Sequence, residues 1–447
     1  MMRLRGVWAG SVLLLLAASG YCAQAKRPYN VILIVSECLR ADHMGAYGNP
    51  GDVTANLDRL AAGAIVFDRA ISQGTWTLPS LASLMTGKLP SEIGVLNQGD
   101  SLAPEVPTFA QAFRERGYET AAFVGGFYAD PMFGVGRGFG VYDASFKRMF
   151  AEVGALSLEW LESHGNAPFL LLIHGHDPHP PLDLHGRADL ALAGERDGGY
   201  SGPLHSMVLE DYFFKTFNRL PDSFYWEPLP SVAYRSLVES IRGNPEEIRH
   251  LGLHYDAKIR RTDRYVGATL WERLRKMGLL KNSVIVFTSD HGLELGEKGM
   301  LSHGFHPAAW QGNIHVPLLL WHPDMRPRRV AGAMPLSSLG SLLLEVSGAG
   351  LPSGWPSSGV DLNTVGQEIL LDRVAFSEST MVVPRRSGVA LRAVQDARWK
   401  LIAGGGREDR LYDLAVDPDE TRDVAESFPQ ELGRMRLLLD ERLSTGR

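Results

Sequence analysis

Residues 30–42 read Asn-Val-Ile-Leu-Ile-Val-Ser-Glu-Cys-Leu-Arg-Ala-Asp, and this stretch decides the fold. Asn30 to Val35 is an unbroken, β-branched-rich apolar run just after Pro28, the pattern of a strand buried on both faces of a parallel sheet. Thr120 to Val124, Ala167 to Ile173 and Ser283 to Thr288 repeat it, and Ile65-Val66-Phe67 and Val316 to Trp321 add shorter strands. Helical spacing over 52–62, over 108–116 and from Leu253 to Gly278 separates them. The alternation predicts an α/β fold with a mainly parallel central sheet flanked by helices. After about Gly366 the texture changes to short alternating strands, with an amphipathic helix from Pro429 to Leu443. This predicts a small C-terminal antiparallel sheet with a helix, closing one side of the main domain. No internal repeat or low-complexity segment is present.

The chain has 447 residues, 45% of them hydrophobic, enough for a large core and two or three domains. A net charge of -6 with no block of like charges gives no electrostatic case for nucleic acid or an anionic membrane as partner. Arg3 and Arg5, the apolar run Val7 to Ala18 and the small residues ending at Ala25 predict a signal peptide over 1–25, and hence export to the periplasm or medium. The alternative, a retained anchor helix, is disfavoured because the run is short of the ~20 residues a span needs. Cleavage would remove Cys22 and leave Cys38 as the single cysteine, which excludes a structural disulfide. No other stretch is apolar enough to cross a bilayer.

Ligands of open α/β sheets gather at the carboxyl ends of the strands, so the residues that follow each apolar run are the candidates. Glu37 follows the first, where it is either a metal-binding carboxylate or a local cap. Thr77 lies in Thr75-Trp76-Thr77-Leu78-Pro79-Ser80, where Pro79 suits the first helical position and Gly87 stops the helix. A hydroxyl there is an N-cap, or else it stands where unpaired N–H groups and the helix dipole favour a bound phosphate or sulfate. His174-Gly175-His176-Asp177-Pro178-His179 ends another strand, and imidazoles at such a place can bind metal or give a proton to a leaving oxygen. Asp290-His291 after the Ser283 run is a compact pair of metal ligands, with Gly292 allowing the turn behind it. His303 and His306 are available for substrate oxygens, a second metal or structure. Gly125 to Gly140 opens no helix and reads as a loop, not a dinucleotide site. Residues 185–250, rich in aromatics around Tyr212 and Tyr225, are either a lid insertion over the site or a small core of their own.

These motifs together resemble the sulfatase-like branch of the alkaline phosphatase superfamily. The resemblance rests on NVILIVSECLRADHMGAYG from Asn30, NLDRLA from Asn56, TLPSLASLMTG from Thr77, Asp177-Pro178-His179 and TSDHGLELG from Thr288. Trp399 to Ile402, Leu411 to Leu414 and Asp417 to Thr421 resemble that family's small C-terminal domain. It implies an alkaline-phosphatase-like mixed, mainly parallel sheet, a catalytic domain over 26–366 and a C-terminal subdomain over 367–447. The chain departs from sulfatases where they carry a Cys or Ser, converted to formylglycine, in Cys/Ser-x-Pro-Ser-Arg, since the aligned residues here are Thr77 and Leu81. Threonine cannot supply that aldehyde. Glu37 stands where an Asp is usual, and the usual lysine before the Val-Pro strand has only His306 as a near candidate. Glu37, Thr77, Asp290 and His291 are instead similar to the metal and nucleophile set of lipoteichoic-acid synthases and lipid A phosphoethanolamine transferases. His303 matches the latter.

The resemblance implies one divalent ion, Zn²⁺ or Mn²⁺ with Ca²⁺ or Mg²⁺ as alternatives, held by Glu37, Asp290, His291 and the Thr77 oxygen. A second metal is left open. Thr77 is then the nucleophile, and His179 or His174 protonates the leaving alkoxide. The expected function is an exported metallohydrolase of an anionic phosphate or sulfate ester, carried on a glycan or lipid head group. The alternatives are a periplasmic phosphotransferase and an inactive protein that binds an anionic glycan.

Overall fold

The computed structural model describes residues 28–146, 148–163, 167–179, 239, 243–304, 309–362, 369–371, 373–380 and 391–445. The expected signal peptide, His306 and all of 185–242 except Glu239 lie outside the described residues.

In chain order the strands are β1 (Asn30–Ser36), β2 (Ile65–Ile71), β3 (Glu119–Val124), β4 (Val141–Ala144), β5 (Phe169–Gly175) and β6 (Ser283–Ser289). They continue with β7 (Glu294–Leu295), β8 (Leu301–Ser302), β9 (His315–Val316), β10 (Leu318–Trp321), β11 (Arg328–Pro335) and β12 (Ile369–Leu371). β1 lies at the heart of a sheet ordered β12-β11-β2-β10-β6-β1-β5-β3-β4, with β9 also paired to β2. It runs parallel to β5 and β6, in registers that set Ser36 level with Gly175 and with Ser289. Three strand ends therefore finish side by side. β10 is antiparallel to β2 and β6, which makes the sheet mixed, as the resemblance implies.

The double burial of β1 follows its alternation. Val31, Leu33 and Val35 face a layer with Leu78, Leu81, Met85, Phe109 and Phe113, while Ile32 and Ile34 face Leu57, Tyr255, Ile259 and Phe287 on the other side. The helix Thr77–Thr86 is buried along its whole length, and Gly87 ends it in the left-handed conformation (φ 75°). Thr77, not Pro79, is its first residue, and Ser80 N reaches back to Trp76 O at 3.2 Å. Proline is tolerated throughout a first turn because those N–H groups have no intrahelical partner. The helix expected from Leu253 already begins at Pro245, where the Asn244 side chain accepts from Glu246 N at 3.2 Å. Its polar first turn carries no apolar period. It passes through a wider, π-type stretch over Asp263–Leu270 before Trp271–Lys276 completes it.

β13 (Ala375–Ser379), β14 (Leu391–Gln395), β15 (Trp399–Gly404) and β16 (Arg410–Asp413) form the small antiparallel sheet. Ala393, Ile402 and Tyr412 on one face pack against Ile71, Trp310 and Ile314 of the main body. Val394, Leu401 and Leu411 on the other are covered by Met435 and Leu439 of the helix Pro429–Thr445. Among the described residues, no helix is long and apolar enough to cross a membrane.

Candidate active site

Glu37 leaves the end of β1 with its N–H shared between Gly175 O and Asp177 O, each at 3.2 Å. Its carboxylate is buried. Oε2 meets His176 Nδ1 at 2.5 Å, Oε1 accepts from the Thr77 hydroxyl at 2.8 Å, and His179 Nε2 is 3.8 Å from Oε1. Burial alone would raise the Glu37 pKa, but the His176 and His179 imidazoles hold it well below the usual carboxylate range. The loop after β3 passes against this carboxylate at Gly126, where a Cβ would stand 2.8 Å from Glu37 Oε2.

β6 delivers Asp290 and His291, both with no exposure. Asp290 Oδ1 accepts from Cys38 N at 3.2 Å and from His291 N at 2.8 Å. Asp290 Oδ2, by contrast, has no hydrogen-bond partner. It is 3.5 Å from His291 Nε2 and 3.8 Å from His174 Nε2. His291 Nδ1 lies 2.8 Å from Gly292 O, and because a carbonyl only accepts, Nδ1 carries the hydrogen. Nε2 is then the ring nitrogen with a lone pair, 3.3 Å from Thr77 Oγ1. Gly292 is required by close approach, since a Cβ there would lie 2.0 Å from Gly312 O.

Thr77 is aimed into this group by its helix, whose Ser80 hydroxyl donates to Asp290 O. The C-terminal sheet braces the same loop. Glu378 N donates to Gln73 O at 2.9 Å and Trp76 Nε1 to Thr380 Oγ1 at 2.8 Å.

The four residues that the sequence singles out, the strand-end Glu37, Asp290 and His291 and the helix-start Thr77, thus converge. His179 and His303 line the same chamber, with ring centroids 4.9 Å apart, and His179 stacks on His176 at 4.3 Å. His174 is placed differently, fully buried behind Asp290 with neither ring nitrogen hydrogen-bonded. Burial pushes its pKa down, but Asp290 and Glu37 outweigh that and raise it above the usual value. Three participants were given no role of their own in the sequence, although His176 belongs to the histidine cluster noted there. His176 binds Glu37, Tyr255 donates to Cys38 O while accepting from Arg40 N at 2.9 Å, and Cys38 turns its thiol into the chamber. For His176 the signal was its place among three clustered histidines, and for Cys38 its position next to Glu37. Burial, with the Glu37 and Asp290 carboxylates, pushes the Cys38 thiol well above its ordinary pKa.

A divalent ion fits this donor set. Asp290 Oδ2 is a buried, unpartnered acceptor, and the Thr77–Glu37, Thr77–His291 and Asp290–His291 separations run from 2.8 to 3.5 Å. Atoms bound to one small ion at about 2.0–2.2 Å lie roughly that far apart.

The sequence pattern of the family described as Sulfatase matches residues 29–349. A Δ4,5-hexuronate-2-O-sulfatase of Bacteroides thetaiotaomicron is 23% identical over 476 residues, covering 95% of this chain and 91% of that protein. Arylsulfatase K of Canis lupus familiaris is 26% identical over 298 residues, 61% of this chain and 52% of the relative, so the chain spans about half that protein's length. In three dimensions a protein solved with its substrate D-glucosamine-2-N,6-O-disulfate superposes with a TM-score of 0.70 at 18% identity, covering 94% of this chain and 98% of that one. A phosphonate monoester hydrolase of Agrobacterium radiobacter gives 0.65 at 21% identity, with 94% and 96% covered. At such identities the structural likeness speaks for the fold alone.

Proposed function

This chain belongs to the sulfatase family, and from that premise we propose that it is an exported, metal-dependent hydrolase of a phosphate or sulfate ester carried on a sugar, with Thr77 as nucleophile. One observation carries the reading: Thr77 Oγ1 is 2.8 Å from Glu37 Oε1 and 3.3 Å from the lone-pair nitrogen of His291. Export rests on the Arg3 to Ala25 pattern. The sugar rests on two relatives, one named as a hexuronate sulfatase and one solved with a sulfated glucosamine as its substrate.

Glu37, Asp290, His291 and Thr77 would hold the ion, and when bound it would supply positive charge that favours ionisation of the Thr77 hydroxyl and offsets charge on the transferring group. Glu37 Oε1 accepts the Thr77 hydrogen and so fixes which oxygen lone pair faces the substrate. The N-terminus of the Thr77–Thr86 helix favours the anionic group at the same place. Thr77 Oγ attacks the phosphorus or sulfur in line with the sugar oxygen, and the bond to that oxygen breaks. His179, whose side chain is 23% exposed, gives the leaving oxygen its proton, a role the fully buried His174 is less suited to. Water then cleaves the ester on Thr77 and restores the hydroxyl. Threonine lacks the second hydroxyl with which a hydrated aldehyde expels sulfate, so this last step favours phosphorus over sulfur.

The test is a panel of aryl phosphate monoester, phosphodiester and sulfate, run on metal-stripped protein reloaded in turn with Zn²⁺, Mn²⁺, Mg²⁺ or Ca²⁺. Metal-dependent turnover with a phosphoester ahead of the sulfate is expected. Turnover of the sulfate alone would overturn the preference for phosphorus. Head-group transfer to an added acceptor alcohol without release to water would replace the hydrolase by a transferase.

A further inference from the structure

Beside the Glu37–Thr77–Asp290–His291 group the chamber holds a second set of ligating atoms. Cys38 Sγ is 3.7 Å from His303 Nδ1 and 3.9 Å from His291 Nε2. A nitrogen of His179, a nitrogen of His303 and the Cys38 sulfur all lie within 4.8 Å of one another. A sulfur and a nitrogen bound to one tetrahedral zinc, at about 2.3 and 2.05 Å, stand roughly 3.6 Å apart. The Cys38–His303 pair already has that spacing, and the His179 nitrogen, within 4.8 Å of both, completes the set by a small side-chain shift.

The backbone supplies an independent observation. Cys38 has φ 66°, in the left-handed region that a residue with a Cβ avoids, and it is wholly buried. Hydrogen bonds hold it there on both sides, from Cys38 N to Asp290 Oδ1 at 3.2 Å, from Leu39 N to Ser289 Oγ at 2.8 Å and from Tyr255 to Cys38 O. Such conformations persist where the surroundings enforce them, and they gather at functional sites. Here the outcome is a sulfur pointed at imidazoles. The His303 ring lies between its neighbours, 4.7 Å from His291 and 4.9 Å from His179.

We propose that Cys38, His179 and His303 form a second metal site, a thiolate with two imidazoles, adjoining the carboxylate-bearing first one. A donor set of one sulfur and two nitrogens selects a borderline-soft divalent ion such as zinc and discriminates against calcium and magnesium. Binding exchanges the Cys38 thiol proton for the ion and releases it to solvent. The site stands whether or not Thr77 is the nucleophile. It shares His179 with the reaction, so filling it withdraws the proton donor.

Cobalt titration of the metal-stripped full chain tests this. Two equivalents are expected to bind, with a thiolate-to-cobalt charge-transfer band in the near ultraviolet that zinc bleaches by displacement. Cys38→Ser loses the band and one equivalent, whereas Asp290→Asn, which removes the charge but keeps an oxygen to accept from Cys38 N, loses the other equivalent and keeps the band. Absence of the band from the wild-type protein at two equivalents overturns the site, and this arm does not depend on any variant folding. Loss of the band in a folded Asp290→Asn overturns its separateness. A protein that gives the band at two equivalents yet turns over no ester even at one equivalent, before the band appears, leaves this site standing and sinks the hydrolase reading.

Discussion

The Thr77 hydroxyl, on the first residue of its helix, donates at 2.8 Å to Oε1 of Glu37, which follows β1 40 residues earlier in the chain. If both groups serve one ion, Glu37→Gln keeps the shape of the contact but removes the charge. Bound metal, measured by elemental analysis after dialysis, is expected to fall by one equivalent with the fold intact. Full retention would place the ion elsewhere.

His174 stands 3.8 Å from Asp290 Oδ2, and both side chains are wholly buried. If Asp290 binds the ion, His174 is placed to orient that carboxylate. His174→Phe fills the space without a nitrogen and should weaken metal binding about 10–100-fold while kcat at saturating metal stays near wild type. A drop in kcat at saturating metal with unchanged affinity would return His174 to the role of proton donor.

The parallel sheet and three of the four converging residues were legible because apolar runs end in short polar words, Ser36-Glu37 and Ser289-Asp290-His291, and the fourth, Thr77, because Pro79 and Gly87 mark a helix around it. Strand periodicity fixes where such words fall, and parallel order puts them at one edge. Cys38 was not legible, because its role depends on a left-handed φ that no local residue preference announces. The start at Pro245 was missed because a solvated first turn leaves no apolar period, although Asn244-Pro245 is a cap followed by a proline at the first helical position. The different settings of His174, fully buried against Asp290, and of His179, part-exposed beside Glu37, were invisible in sequence, because burial and partners at a strand end depend on the packing around it.

Glu294 gives a prediction in pH. Burial, reinforced by the Glu297 carboxylate, pushes it from the usual 4.5 up to about 8. The folded chain holds this proton more tightly than the unfolded one. Its contribution to stability is therefore complete below pH 4.5 and is lost as pH rises through about 8. Glu294→Gln imitates the protonated form and should flatten that decline in urea midpoints taken across the window. An unchanged pH slope would contradict it.

Lys400 and Glu420 form an ion pair at 2.5 Å with side chains 0% and 1% exposed, and Glu420 also accepts from Gln311 N at 2.6 Å. Lys400→Met strands a buried carboxylate at the contact between the small sheet and the main body. The expected loss is about 3–5 kcal/mol in denaturant unfolding. A change within about 0.5 kcal/mol would mean that the pair does not hold this contact.

The central claim is that Thr77 becomes covalently esterified during turnover. The direct measurement is an acid quench of the metal-loaded protein in the first turnovers of its best ester substrate, followed by peptide mass analysis, with Thr77→Ala run beside it. The account predicts one phosphoryl or sulfuryl group on the peptide carrying Thr77, none in Thr77→Ala, and a loss of several orders of magnitude in that variant's kcat/KM with its metal retained. A folded, metal-loaded Thr77→Ala that turns over at the wild-type rate would contradict it.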